Sequence, residues 1–192
     1  MSNSDAVREA VRRNYAEVAK KGSACGCGTS SSSACCEGGS SADLVSIKIG
    51  YSKSEVASVP EGANLGLGCG NPQAIAALKP GEWVLDLGSG GGFDCFLAAA
   101  RVGKKGRVIG VDMTPEMVAK ARANRQRLGM AQAEFRLGEI EHLPVADGVA
   151  DAVVSNCVIN LLPDKRPAFV EAYRVLRPGG RLVVADIVSH EP

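Results

Sequence analysis

The stretch Val84-Leu85-Asp86-Leu87-Gly88-Ser89-Gly90-Gly91-Gly92-Phe93-Asp94 limits the possible folds of this chain more than any other. A short apolar run rich in Val and Leu predicts a buried strand. The glycines predict a turn that brings bare backbone against a ligand, and from Phe93 the apolar spacing becomes helical. Strand, glycine turn and helix in that order make a nucleotide-type loop. A dinucleotide fingerprint would place glycines at 88, 90 and 93, but position 93 is Phe and the third glycine is Gly92.

The rest of the chain supplies the sheet that such a loop needs. Strands are predicted near 83–87, 107–112, 133–137, 151–156 and 181–187, and helices near 92–102, 115–128 and 165–176. Thr114-Pro115-Glu116 starts the second helix, and Arg177-Pro178-Gly179-Gly180 ends the third. This alternation predicts an α/β fold, a parallel sheet with helices on both faces, with ligands across the C-terminal ends of the strands. Asp112, at the tip of the second strand, is placed to accept from both hydroxyls of a ribose.

Upstream, Val7, Val11, Tyr15 and Val18 recur near helical spacing and predict a helix from Ser4 to about Lys20. Residues 22–42 are a low-complexity run of Gly, Ser, Ala and Cys, expected to be mobile without a ligand because it buries too little apolar area to offset its ordering entropy. Ser52-Lys53-Ser54-Glu55 fits a capping box, and Asn71-Pro72 caps a helix that runs to Leu78. The chain divides into an N-terminal helix with a Cys/Gly/Ser-rich segment, 1–60, and a core, 61–192.

The 22 basic and 21 acidic residues nearly cancel, so the balance calls for neither nucleic acid nor an anionic membrane. The basic runs at 101–107 and 120–127 are expected to face solvent. No apolar run approaches a membrane span, and the N-terminus lacks the regions of a signal peptide, so a cytoplasmic protein is expected.

Seven cysteines are odd in number for a disulfide framework; in a reducing compartment they imply thiol chemistry, soft-ion binding or core filling. Cys69 lies between glycines before a capped helix, where a helix dipole favours thiolate. Cys157 falls just past the fourth strand, at the crevice, so two distant thiols can meet there. Cys25-x-Cys27 with Cys35-Cys36 lacks ordinary zinc spacing and reads as a redox tail, with no resident metal. Cys95 reads as core, and His142 and His190 as surface residues.

Asp86-x-Gly88-x-Gly90-x-Gly92 resembles motif I of class I S-adenosylmethionine-dependent methyltransferases, whose Rossmann-like loop passes under the methionine part of the donor. Three further motifs are more selective: Gly66-Leu67-Gly68-Cys69-Gly70-Asn71-Pro72, Gly138-Glu139-Ile140-Glu141-His142-Leu143-Pro144 and Ser155-Asn156-Cys157-Val158-Ile159-Asn160-Leu161. Together they are similar to the arsenite S-adenosylmethionine methyltransferases. The resemblance implies that Cys69 and Cys157 ligate trivalent arsenic and that Cys35 or Cys36 takes part in thiol exchange. It also implies that Met113 joins Asp112 at the donor, that Gly138, Glu139 and Ile140 lie beside the adenine, and that Asn156 lies near the donor.

By the same resemblance, protein thiols reduce the oxidised product and are reset by thioredoxin or glutathione. Class I enzymes usually continue with a helix and two more strands after the fifth strand, and the arsenite family takes a further arsenic-binding cysteine from there. The later strands are missing here, so Leu182 to Val188 is expected to be an apolar edge open to self-association. The expectation is a cytoplasmic enzyme that methylates arsenite. Its rivals are a methyltransferase for a small organic acceptor and a non-catalytic arsenite-binding thiol module or fragment.

Overall fold

In a computed structural model of the chain, residues 3–21 and 41–188 are described. Side-chain alternation along the strands builds two cores. Val84 of β1 (Trp83–Leu87) joins one, while Leu85 and Leu87 join the other. β2 (Arg107–Asp112), β3 (Ala133–Leu137), β4 (Ala150–Asn156) and β5 (Leu176–Ala185) complete a parallel sheet of order β3-β2-β1-β4-β5. Central strands buried on both faces read as near-continuous apolar runs, as the Val-rich β4 does.

Helices cover both faces. α5 (Phe93–Val102) and α6 (Pro115–Leu128) pack on Val84, Val108, Phe135 and Val154, and α7 (Arg166–Val175) packs on the other side through Ala168, Ala172 and Val175. α1 (Asn3–Lys21) lies against α6, with Ala19 and Tyr15 beside Met117 and Leu65. α2 (Ser41–Lys48), α3 (Lys53–Ala57) and α4 (Pro72–Ala76) lead into β1. The capping box at Ser52 and Glu55 forms, and the Asn71 side chain accepts from the Ala74 amide as a helix cap. Among the described residues no helix is long and apolar enough to cross a membrane.

The observed elements follow the expected ones with two corrections, to α4 and α2. α7 stops at Val175, just before Arg177–Gly180 as expected; β5 begins at Leu176, and these four residues form an irregularity without β4 partners, with Gly179 at φ +80°, before pairing resumes at Arg181. α4 ends at Ala76, two residues early, because Ala77 is left-handed at φ 45°. α2 was not predicted; its buried Ala42 and Ser46 sit against the 64–66 loop, where the Ser46 hydroxyl donates to Asn64. The basic runs face solvent as expected, with Arg101, Lys104, Lys105, Arg122 and Arg127 exposed and none of their other basic residues buried, though several also bond within the chain: Arg101 to Glu55 and the Gln73 carbonyl, Arg107 to Glu134, Lys120 to the Ala19 carbonyl and Arg122 to that of Phe135.

β5 lies at the sheet edge, and Ile187 and Val188 beyond it are exposed. The redox-tail cysteines Cys25, Cys27, Cys35 and Cys36, and His190, lie outside the described residues.

Candidate active site

A cleft runs over the C-terminal ends of β1, β2 and β4. The glycine turn forms its floor. The amides of Gly88 and Ser89 both donate to the Val111 carbonyl, at 2.8 and 3.0 Å, which fixes the turn to β2. Gly88 has φ +69°, and a Cβ there would meet Val158 at 2.6 Å, so no other residue fits without movement. Gly90, at φ +50°, has nothing within 4 Å of the same position: its backbone opens onto the cleft. The Gly90 amide donates to Asp112 Oδ2 at 2.9 Å, and the Thr114 amide to Oδ1 at 2.8 Å. The Thr114 side chain bonds the same carboxylate, so about one acceptor site is left for a ligand hydroxyl.

The cleft is acidic. Asp86, Asp94, Asp112 and Glu141 line it, with Arg8 the basic residue among the lining groups. Burial pushes the Asp86 carboxyl well above its usual range, and the nearby Asp94 pushes it further; the Cys95 thiol, donating at 3.1 Å, works the other way. Burial also raises Asp94 and Asp112, against hydrogen bonds from Tyr51 and Asn156 to the first and from the Thr114 and Gly90 amides to the second. A cationic ligand would offset the cost of ionising these groups. The Ser89 hydroxyl, buried in the lining, has no hydrogen-bond partner. An open glycine cradle, a remaining acceptor on Asp112 and an acidic lining fit S-adenosylmethionine, whose sulfonium and ammonium groups are cationic and whose ribose offers hydroxyl donors.

Beside the glycine turn, at the end of the neighbouring strand β4, lies a thiol corner held by Asn156. Its Oδ1 accepts from the Cys69 amide at 2.9 Å, and its Nδ2 lies 3.0 Å from the Gly70 carbonyl, 3.1 Å from Asp94 Oδ2 and 3.1 Å from the Tyr51 hydroxyl. Tyr51 in turn donates to Asp94 at 2.7 Å, and burial beside that carboxylate raises its pKa. Cys157 adopts φ +58°, an uncommon conformation for a residue with a side chain, and its amide donates to the Ala185 carbonyl at 2.8 Å. Cys69 and Cys157 form a disulfide with their Cα atoms 5.6 Å apart. The helix after Cys69 has only five residues, so the dipole expected to act on this thiol is slight and its pairing with Cys157 is the dominant feature. A carboxylate oxygen of Asp186 and the two sulfurs lie within 4.8 Å of one another.

Of the residues singled out in the sequence, Asp86, Gly88, Gly90, Asp112, Met113, Gly138, Ile140, Asn156 and Cys157 line the cleft. Cys69 joins them through Cys157. Gly92 and Glu139 do not: a Cβ on Gly92 would strike Phe96 and Phe135, so it serves helix packing, and Glu139 turns away to Arg12, at 3.3 Å. Cys35 and Cys36 lie outside the described residues. His142 is exposed, and Cys95 is fully buried with its thiol pKa pushed up by burial, as a core cysteine's should be.

Sequence reasoning missed Tyr51, Asp94, Asp186, Arg8 and Glu141. Asp94 stands inside the glycine stretch and was open to recognition there. The Arg8 guanidinium donates twice to Glu141, at 3.1 and 2.9 Å, across 133 positions of sequence, and no local signal announces such a pair. Through it α1 lies over the cleft, which Val11 and Tyr15 also line.

Known proteins are similar in sequence and fold. A family model for a methyltransferase domain matches residues 78–192. An arsenite methyltransferase of Halobacterium salinarum is 55% identical over 189 residues, 96% of this chain and 48% of that protein. The human arsenite methyltransferase is 45% identical over 117 residues, 56% of this chain and 31% of that protein. Among solved structures, the arsenic(III) S-adenosylmethionine methyltransferase of Chlamydomonas reinhardtii is 41% identical with a TM-score of 0.58, over 76% of this chain and 48% of that one. The chain thus spans about half the length, or less, of these relatives. With the matched region covering β1, the glycine turn and all five strands, the chain belongs to the methyltransferase domain family, on the Rossmann-like fold of S-adenosylmethionine-dependent enzymes.

Proposed function

We propose that this chain transfers the methyl group of S-adenosylmethionine to trivalent arsenic held by the thiolates of Cys69 and Cys157. One observation carries the reading: two cysteines 88 residues apart in sequence come together at the C-terminal end of β4, on the cleft that holds the glycine turn. Trivalent arsenic is soft and thiophilic, so two converging thiolates displace its oxygen ligands and leave its lone pair free. S-adenosylmethionine, when bound, supplies an electrophilic methyl on a sulfonium. The work of the protein is to hold the arsenic lone pair beside that carbon, which turns a two-body displacement into an intramolecular step. No general base is needed, since the lone pair carries no proton.

The donor's parts have matching residues. Asp112 accepts from the ribose hydroxyls, with Met113 beside it. Gly138 and Ile140 flank the adenine. Gly88 and Gly90 run under the methionine portion, Asp86 and Asp94 face its cationic groups, and Asn156 keeps Cys69 in reach of it. Gly92 and Glu139 support this indirectly, Gly92 by letting α5 pack and Glu139 by holding Arg12 of α1.

The disulfide must be opened before arsenic binds, a step for a thiol reductant such as thioredoxin or glutathione, with Cys35 or Cys36 exchanging thiols. In this reading the protein works in the reducing cytoplasm, residues 1–60 serve the core 61–192, and the β5 edge pairs with further sheet or with a second copy. The test is arsenic speciation after the reduced chain is incubated with arsenite, S-adenosylmethionine and thiol. Methylated arsenic that disappears in both Cys69→Ser and Cys157→Ser supports the reading. Arsenite bound by the thiols with no methylated product supports sequestration instead, and turnover untouched by either substitution points to an organic acceptor.

A further inference from the structure

Arg8, Val11 and Tyr15 stand at i, i+3 and i+7 on α1, one stripe of one helix, and all three line the cleft. At about 1.5 Å of rise per residue the stripe runs for roughly 10 Å, enough to lie along a nucleoside from base to sugar. Its two ends are tied to different walls. Near the start Arg8 donates to Glu141, in the loop after β3. Near the end the Lys120 ammonium of α6 donates to the Ala19 carbonyl at 3.0 Å, and Lys20 pairs with Glu116 at 3.2 Å. α1 thus bridges from the loop after β3 to the first turns of α6, the helix that follows β2.

Tyr15 sits at the α6 end of that bridge. It packs against Met117 and Leu65, and Met117 lies in the first turn of α6, three residues after the Thr114 whose amide holds Asp112. Burial raises the pKa of the Tyr15 hydroxyl, and the Asp112 carboxylate raises it further, so the two side chains are within electrostatic reach of one another. Among the described residues nothing hydrogen-bonds that hydroxyl.

A free hydroxyl here answers a shortage at Asp112. A carboxylate has about four acceptor sites, and the Gly90 amide, the Thr114 amide and the Thr114 side chain take three of them. A ribose brings two hydroxyl donors to what is left. Asn64, the lining amide beside Leu65, cannot take the second: its Oδ1 already accepts from the Ser46 hydroxyl and the Gly66 amide, and its Nδ2 donates to Asp43. The Tyr15 oxygen keeps its acceptor capacity, and it stands in the lining on the Asp112 side of the cleft.

Resting on the reading that Asp112 holds the donor's ribose, we propose that Tyr15 is a second ribose-binding residue, its hydroxyl accepting from the sugar hydroxyl that Asp112 does not fully satisfy. α1 is then the roof of the nucleoside half of the donor site, and the site selects donors that carry both hydroxyls. A sugar held by side chains from two separate elements does not pivot about Asp112, which steadies the sulfonium at the far end of the nucleoside.

Binding needs no methyl transfer, so the probe is S-adenosylhomocysteine, titrated by calorimetry into the full chain alongside its 2′-deoxy and 3′-deoxy analogues. Tyr15→Phe keeps the ring on Met117 and removes only the oxygen. It is expected to weaken S-adenosylhomocysteine about fivefold, the loss of one neutral hydrogen bond. One deoxy analogue should weaken by the same factor, and the other, which lacks the hydroxyl that Tyr15 meets, should bind parent and variant alike. Hydrogen exchange of the α1 amides should slow when S-adenosylhomocysteine binds, and slow less in the variant.

Equal losses for all three ligands would mean that Tyr15 acts only through packing, and an unchanged affinity for S-adenosylhomocysteine would mean that water takes the second hydroxyl. Either result overturns the assignment, as would α1 amides that exchange at one rate with and without the ligand. The underlying reading fails differently. If Asp112→Ala leaves the affinity intact, the ribose is not held there and both fall. If Asp112→Ala weakens binding while Tyr15→Phe does not, only the role of Tyr15 falls.

Discussion

The glycine turn and the thiol corner stand side by side in a single cleft, at the ends of adjacent strands, and they are held by different means. The turn, residues 88–92, is contiguous in sequence, and backbone sterics and two amides on the Val111 carbonyl hold it. The corner gathers Cys69, Cys157 and Asp186 from three segments, through Asn156 and the β4–β5 register. Steric constraint makes the turn stiff and intolerant of added atoms. In the proposed reaction the corner must adjust, its thiols exchanging their disulfide for bonds to arsenic while the strands beneath them stay paired. A generic donor site needs the first property, and a site where bonds to the substrate are made and broken needs the second.

The largest effect belongs to the corner. Cys157→Ser is expected to lower arsenic methylation by about a hundredfold or more, because losing one thiolate frees the arsenic from its near-attack position. Donor affinity, read by calorimetry, should stay within twofold. A matching loss of donor binding would show that the two sides are not separable.

For the turn the corresponding break is steric. Gly88→Ala brings a Cβ to within 2.6 Å of Val158 at φ +69°, and is expected to cost about 3 kcal/mol from overpacking and left-handed strain together. Gly90→Ala has φ +50° but open space, so only the strain applies, about 1 kcal/mol. Denaturant titration of the two variants should separate them, and equal losses would show that φ alone governs this turn.

Asn156→Ala tests the link between the sides. It removes the acceptor for the Cys69 amide and a donor to Asp94, leaving buried polar groups unpaired at a cost of about 2 kcal/mol. The sharper readout is the thiol pair: with its loop untied, Cys69 should reform the disulfide with Cys157 more slowly after reduction. Unchanged reoxidation would mean that the 66–70 loop holds itself.

The same contrast explains what the sequence disclosed. The strand, turn, helix and distal Asp112 were legible because each is local: apolar periodicity, glycine spacing and a capping box act within a few residues. Gly92 was given to the ligand because spacing alone does not separate a glycine that touches the cofactor from one that makes room for Phe96 and Phe135. The meeting of Cys69 with Cys157 was open to expectation once Cys157 was placed past the fourth strand and Cys69 in a glycine-flanked loop before a helix, but Asp186 was not, since its position depends on the β4–β5 register. The turn expected at Arg177–Gly180 survives as an unpaired irregularity within β5, with Gly179 at φ +80°, because proline and glycine signals act locally. Tyr51 and Arg8 had no signal at all: their partners, Asp94 and Glu141, lie 43 and 133 residues away.

The acidic lining sets a pH response, which for one carboxyl cannot exceed about 1.4 kcal/mol per pH unit. Burial, then Asp94, hold Asp86 above its unfolded value of 3.8. As pH rises from 3.8 toward the folded value, the unfolded chain has released a proton that the folded chain keeps, so stability falls with rising pH over that window. Above it the loss is complete. Asp86→Asn should flatten the fall, measured as Tm between pH 4 and 8, while weakening the cationic donor at neutral pH. Parallel Tm profiles for the variant and the parent would exclude Asp86 as the source.

The smallest effects concern the helix that covers the cleft. Arg12 and Glu139 are 3.3 Å apart with side chains 38% and 37% exposed, so solvent screens the pair, and Arg12→Ala is expected to change stability by no more than about 0.5 kcal/mol. Arg8 differs, because its partner Glu141 is 4% exposed; Arg8→Ala leaves that carboxylate without its charged donor and is expected to cost about 1 kcal/mol. Since Arg8 and Val11 line the cleft, the Arg8 loss should also raise the donor's dissociation rate a few-fold, whereas Arg12→Ala should leave it unchanged. Stopped-flow release of the donor from the two variants reads the difference. Equal rates would place α1 outside the donor's exit path and leave the turn and the corner as the whole of the site.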